Sequence, residues 1–202
     1  MDDILIFTDT LEEHRAIVKR VLDILEKNQL FLKPQKCEFE KTEIEYLGVI
    51  IGHNTMRMDP VKIRGITEWP EPKNLKQVQA FLGFTNFYRR FVRGYSEVAK
   101  PLTRLTGKEG FSWGEEQKNA FQKLKDRIAE DAVLALPTDH GKFRLEADAS
   151  EGATGAVLSQ EQEGEWRPVA FQSHGLNETE RNYEIYDKEM LAIMLALSLI
   201  HI

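Results

Sequence analysis

Two adjacent carboxylates, Asp2 and Asp3, head the apolar run Ile4-Leu5-Ile6-Phe7. Like charges this close repel each other and desolvation disfavours both, so such a pair at the start of a buried strand calls for a neutralising partner. A hard divalent cation, Mg²⁺ or Mn²⁺, is the usual one, and it completes its shell with further carboxylates or substrate phosphates. The plainer alternative is a solvated loop end, and the apolar strand that follows at once is what argues against it. A second constellation is Asp148 with Glu189. An Asp leaving a central strand and a Glu on a helix crossing the same sheet can converge, and hydrolysis of a phosphodiester by two metals needs several carboxylates to hold the ions about 3.5 to 4 Å apart. With thirty-three acidic residues in the chain, spacing alone leaves many other pairings open.

The elements that would position these groups follow from periodicity. Residues 4–7 read as a buried strand. Thr10 with Glu13 makes a capping box for a helix over 11–27, with Ile17, Val18, Val21, Leu22 and Leu25 on one face. Residues 36–58 read as short strands, forming a small sheet packed on that helix; Cys37 and Phe39 alternate with charges, and Tyr46-Leu47-Gly48-Val49-Ile50-Ile51-Gly52 is β-branched and glycine-bounded. Asn74 with Gln77 opens a further helix, whose aromatic stripe continues through Phe91 and whose other face carries Arg89, Arg90 and Arg93. The rings at helical spacing belong to a core, whereas the arginines suit phosphate contact. Another amphipathic helix spans 115–129. Residues 142–148, 152–159 and 166–173 form an antiparallel meander with its polar turn at 160–165, and Asn177 with Glu180 caps a helix running through Met194 and bearing Glu189.

Composition bounds the setting. With 202 residues, 42% hydrophobic and 30% charged, the chain can build one large or two small cores and is not mostly disordered. The longest nearly apolar stretch, 191–200, is about half of what crosses a bilayer, and no basic-then-apolar signal pattern heads the chain. The single cysteine, Cys37, excludes an internal disulfide and a Cys-rich zinc site. The net charge of −6 argues at first against nucleic acid, but the charge is partitioned. Residues 57–108 carry eleven basic and four acidic side chains, a surplus of seven positive charges, which leaves thirteen negative charges in excess elsewhere. One segment is thus suited to face a polyanion, or else simply to present a solvated basic face.

These residues resemble a known family. Met1-Asp2-Asp3-Ile4-Leu5-Ile6-Phe7 is similar to the Tyr-x-Asp-Asp strand of reverse transcriptases without its tyrosine. Tyr46-Leu47-Gly48-Val49-Ile50, Leu82-Gly83-Phe84-Thr85-Asn86-Phe87-Tyr88-Arg89-Arg90-Phe91 and Ala99-Lys100-Pro101-Leu102 resemble the segments that follow in gypsy-type LTR retrotransposon polyproteins. Ala147-Asp148-Ala149-Ser150, Gly155-Ala156-Val157-Leu158 and Tyr186-Asp187-Lys188-Glu189-Met190-Leu191-Ala192-Ile193 resemble the tethered RNase H domain, and the order is the family's over nearly the whole chain.

The resemblance implies an α+β chain: the end of a reverse transcriptase palm (1–59), a helical basic thumb (60–108), a connection (109–136) and the start of an RNase H-like α/β fold with a mixed sheet (137–202). It implies an enzyme that copies an RNA template from a DNA primer and degrades the RNA of the hybrid, inside the cell in a cytoplasmic particle or the nucleus, alongside the rest of its polyprotein and off the membrane. Asp2 and Asp3 would be polymerase metal ligands, and Asp148 and Glu189 the first two RNase H ligands. Leu47 and Gly48 would lie in the hairpin that positions the primer end, and Arg89, Arg90 and Arg93 would contact nucleic acid. Because the chain begins inside the palm motif and stops after one RNase H helix, each site is expected to be half present and the 202 residues inactive alone. Leu197-Ser198-Leu199-Ile200-His201-Ile202 departs from the family pattern and resembles the translation of a sequencing adaptor. A rival reading is a domesticated, non-catalytic nucleic-acid-binding module.

Overall fold

The computed structural model describes residues 3–107, 110–130 and 132–201. Met1, Asp2, Lys108 and Ile202, which enter the expectations above, lie outside the described residues.

The first helix, α1 (Leu11–Lys27), begins where the capping residue directs it: the Thr10 hydroxyl accepts a hydrogen bond from the Glu13 amide at 3.3 Å, and Glu12 and Glu13 sit favourably in the first turn. Its apolar stripe finds no covering layer, and no residue of α1 is buried. Residues 4–7 are likewise not a strand. Ile4 is 55% and Phe7 87% exposed, because no described segment runs alongside to complete the ladder on which a strand depends.

The next strands are β1 (Glu43–Tyr46), β2 (Val49–Gly52) and β3 (Thr55–Met58), an antiparallel meander to which the two-residue β4 (Leu134–Ala135) is added beside β3. Residues 37–42, expected to be extended in a sheet, stay outside it; the segment follows a short 3₁₀ turn, Pro34–Lys36. The sheet also packs elsewhere than expected. Met58, Met56 and Val49 enter a core built by later helices rather than covering α1.

Those helices are α2 (Pro60–Thr67), α3 (Leu75–Phe87), α4 (Tyr95–Arg104) and α5 (Glu115–Ala129). Asp59 caps α2 with Pro60 in its first turn, and the Asn74 side chain caps α3 by accepting from the Gln77 amide at 3.0 Å. Helix α3 ends at Phe87, and Arg89–Phe91 form a 3₁₀ turn, so the three arginines lie beyond the helix instead of on its face. The core joins Ile66, Val78, Phe81, Leu102, Leu124, Ile128 and Leu134, all essentially inaccessible, and the Phe81 ring meets Phe121 at 4.6 Å and Trp69 at 5.8 Å between centroids.

A second sheet holds β5 (Phe143–Ala149), β6 (Ala153–Gln162) and β7 (Glu165–Gly175), in that order and antiparallel throughout. The β6–β7 ladder runs further than expected, closing at Gln162 opposite Glu165 over a two-residue turn in which Glu163 (φ 55°) and Gly164 (φ 83°) both take left-handed conformations. Pro168 is accommodated because the register slips between Leu158 and Ser159. The helix expected to run from Asn177 through Met194 is two: α6 (Glu178–Arg181) ends at Asn182, the chain becomes extended at Glu184, and α7 (Ile185–Ala196) begins anew. Helix α7 lays Ala192 and Ala196 on the sheet, where Ala196 joins Ala156, Leu158, Ala170 and Leu199. Leu199 belongs to a closing 3₁₀ turn, Leu197–His201, and is the buried side chain of that turn among those described, Leu197 and Ile200 staying exposed.

The start of α6 is pH-sensitive. Glu180 accepts from the Asn177 backbone amide at 2.8 Å and meets His174 at 3.2 Å, and the amide above all holds its carboxyl below the ordinary carboxylate range. A carboxylate with a depressed folded pKa contributes stability above its unfolded pKa and loses it as pH falls through the folded value. The protection of the Asn177 and Glu180 amides, measured against the unstructured exchange rate at each pH, is therefore expected to fall in acid as Glu180 protonates, as NMR amide exchange would report.

Candidate functional site

The hairpin between β1 and β2 turns on the two residues singled out in the sequence. Tyr46 pairs with Val49, leaving Leu47 (φ 50°) and Gly48 (φ 81°) as a two-residue turn that demands left-handed backbone at both positions. Leu47 is 62% exposed at the tip. Gly48 is held from below: the Tyr88 hydroxyl donates to its carbonyl at 3.1 Å, and the Phe87 ring lies in van der Waals range of where a Cβ would stand. Tyr88 itself is buried, and burial, with Asp59 and Glu45 adding to it, pushes its phenol above the ordinary value, which keeps it a neutral donor.

The three arginines then diverge. Arg93 is exposed and Arg90 half-buried, and neither forms an ion pair among the described residues, so both are available to an anion. Arg89, expected beside them at the nucleic acid, is turned inward. It donates to the Ser173 carbonyl on β7, approaches Ser96 and Asn86 at 3.5 Å, and stacks its guanidinium 5.9 Å from the Tyr95 ring. Its Nη1 and Nη2 thus have partners within the protein, which turns the guanidinium toward β7.

Of the carboxylates, Asp3 is exposed on the irregular segment before α1, and Asp2 lies outside the described residues. Asp148 stands near the end of β5, exposed, with its own Oδ1 accepting from the Ala149 amide at 2.9 Å. Its ladder partner is Gly155, where a Cβ would meet nothing within 4 Å, which leaves the floor beside the carboxylate open. Glu189 is exposed on α7, which packs against β5 and β6. Ala147, the neighbour of Asp148, packs against the cluster that contains Ala196 of α7, which places the strand and the helix of the two carboxylates side by side. Among the described residues no three His, Cys, Asp or Glu side chains gather as a metal site would require. The carboxylates are of the kind Mg²⁺ takes, and no metal-dependent step is derived for this chain.

Asp148 opens on a cleft of about 320 Å³ between the second sheet and the helices, lined also by Arg93, Glu97, Lys123, Arg127 and Glu146. Lys123 and Arg127 escape sequence reasoning. They lie four apart on a helix whose apolar pattern is its strong signal, and nothing local says that this polar face meets a strand 20 residues on.

Two family models match the chain: residues 1–51 match the reverse transcriptase (RNA-dependent DNA polymerase) model, and residues 113–201 match the RNase H-like domain found in reverse transcriptase. The fold agrees with that of a solved structure, the foamy viral protease-reverse transcriptase dRH in complex with ds DNA, at a TM-score of 0.83 and 24% identity over 96% of this chain and 34% of that one. The class is therefore that of reverse transcriptases with an RNase H-like domain. Among curated proteins, the Pol polyprotein of the Drosophila melanogaster transposon opus is 38% identical over 98% of the chain, and that of transposon gypsy, from the same organism, is 35% identical over 98%. The chain belongs to the reverse transcriptase and RNase H region of retrotransposon Pol polyproteins, and it spans about a fifth of the length of these relatives, 21% and 20%.

Proposed function

We propose that this chain supplies the primer-end hairpin, the thumb and the RNase H-like sheet of an RNA-directed DNA polymerase that copies an RNA template from a DNA primer and degrades the RNA strand of the hybrid. The observation that carries the reading is the hairpin: Leu47 and Gly48 are presented at a left-handed turn and clamped to α3 by Tyr88. A tip fixed in this way suits the positioning of a primer end, while Arg90 and Arg93, beyond the same helix, suit the duplex backbone. Double-stranded DNA bound by the foamy viral neighbour supports the same partner here. In this reading the domains are the palm end (1–59), the thumb (60–108), the connection (109–136) and the RNase H-like part (137–202). Asp2 and Asp3 serve the polymerase metal ions, and Asp148 and Glu189 serve those of RNase H, with Mg²⁺ or Mn²⁺ supplying Lewis acidity when bound.

The 202 residues alone grip nucleic acid without acting on it, since carboxylates in partial shells hold Mg²⁺ weakly and position no nucleophile. Purified chain is expected to bind an RNA/DNA hybrid with a steep salt dependence, and Arg90→Ala with Arg93→Ala to reduce the slope of log K against log salt by about 1 for each phosphate no longer neutralised. Primer extension abolished by Asp3→Asn, or hybrid cleavage abolished by Asp148→Asn, would refute the inactivity of the 202 residues. An absence of salt-dependent binding would refute the assignment of the thumb.

A further inference from the structure

We infer that the turn following α3 is a two-sided joint, with Arg89 as its positioning residue, that sets the spacing between the hairpin at Leu47 and Gly48 and the sheet β5–β7. The naming of that hairpin as the primer-end element rests on the function proposed above, but the joint itself does not. Tyr88 and Arg89 are neighbours in sequence and are bound in two directions. The Tyr88 hydroxyl donates to the Gly48 carbonyl, 40 residues away, and the Arg89 guanidinium donates to the Ser173 carbonyl, 84 residues away.

Each side is reinforced. On the sheet side the Ser96 amide at the start of α4 donates to Ser173 Oγ at 3.0 Å, and Ser173 Oγ donates in turn to Ser96 Oγ at 3.1 Å. Ser173 is 2% exposed, so these bonds are shielded from water. Between the two sides, Tyr95 lies under the guanidinium and its hydroxyl shares a 2.9 Å hydrogen bond with Thr85 Oγ1 of α3. On the hairpin side, Phe87 and Tyr88 meet edge to face, 4.9 Å between centroids. An element bound on one side only could swing. One fixed on both by part-buried hydrogen bonds transmits position, and the single step from Tyr88 to Arg89 becomes the fixed offset between the two units.

Hydrogen exchange of the whole chain, without nucleic acid, tests the joint. Arg89→Ala is expected to speed exchange of the Ser96 amide and of β7 around Ser173 by about tenfold while leaving the β1–β2 ladder unchanged, and Tyr88→Phe to do the reverse. Arg89→Lys, which keeps a charged donor nitrogen without the planar fork, restores part of the protection. Spin labels at Leu47→Cys and Glu165→Cys, in a Cys37→Ser background, are expected to give a narrow distance distribution that broadens in Arg89→Ala. Unchanged exchange at Ser96 and β7, acceleration spread evenly over the chain, or a distribution of equal width in both forms would overturn the proposal. None of these readouts depends on hybrid binding, so the joint and the proposed function fail separately.

Discussion

Replacing Phe81 by alanine lowers the stability of the chain by about 3–5 kcal/mol, the range for deleting a fully buried aromatic ring. Phe81 is inaccessible and lies between two other rings: Trp69 meets it edge-on, and Phe121 reaches it from α5. These neighbours come from α5 and from the segment after α2, both held by further packing, so the space left by the ring cannot close without moving them. Urea denaturation followed by fluorescence and circular dichroism reads the effect as a drop in the transition midpoint at constant slope. Phe31→Ala is the matched control. Phe31 is 93% exposed, and its removal is expected to change stability by no more than about 0.5 kcal/mol. A destabilisation below about 1 kcal/mol for Phe81 would mean that the helices collapse freely into the void and that the core is not close-packed there.

The second large effect is expected at Gln160, a polar side chain with no accessible surface. Its amide is satisfied at every position. Nε2 donates to the carbonyls of Thr138 and His140, both at 2.8 Å, and Oε1 accepts from the Thr138 amide and from Gln162 Nε2, both at 2.9 Å. Gln160 thereby stitches the irregular segment before β5 onto β6, in place of the backbone ladder that the segment lacks. Gln160→Leu keeps the bulk and strands several polar groups at once, at about 1–3 kcal/mol each where they stay dry, so a destabilisation of about 3 kcal/mol or more is expected. Gln160→Glu gives a more particular signature. A carboxylate can only accept, and it would face two carbonyl oxygens, so this variant is expected to regain stability as pH falls and the carboxyl becomes a donor. Denaturation midpoints at pH 7 and 5 separate this from an effect of volume, which would show no such recovery.

Much of the fold follows from local signals, and the departures share a cause. The bounds of α1 and α5 are legible from their apolar periodicity, and the caps at Thr10, Asn74 and Asn177 because a side-chain oxygen and an amide three residues on settle them within one turn. Residues 46–52 read as one β-branched, glycine-bounded stretch, and the hairpin at Leu47 and Gly48 is expected only from the family resemblance; the turn divides the stretch because both residues take left-handed backbone. Residues 4–7 look like a strand for the same local reasons, yet a strand is completed only by a neighbour, and none among the described residues lies beside it. Arg89 shows the limit from the other direction. Its position next to Arg90 reads as part of a basic patch, and only the arrival of β7, 84 residues on, turns it into an internal donor. The site is read least well where it depends on which way a strand faces. Asp148 and Glu189 stand on a strand and a helix that touch, as their local patterns suggest, but which way each carboxylate faces depends on the register of the whole sheet and not on any local signal.

The position of β5 at the rim of its sheet carries a practical consequence. Among the described residues this strand pairs only with β6, so its other side offers unpaired amides and carbonyls to any passing chain, and stacking of one rim on another is how soluble β proteins begin to aggregate. Arg144, Glu146 and Asp148 project from one face of that strand, exposed, and set their charges beside the open edge. A neutral substitution at Asp148 removes one of these charges and is expected to favour edge-to-edge association. Light scattering belongs beside every assay of Asp148→Asn, because a precipitating sample and a silenced site would otherwise give the same trace.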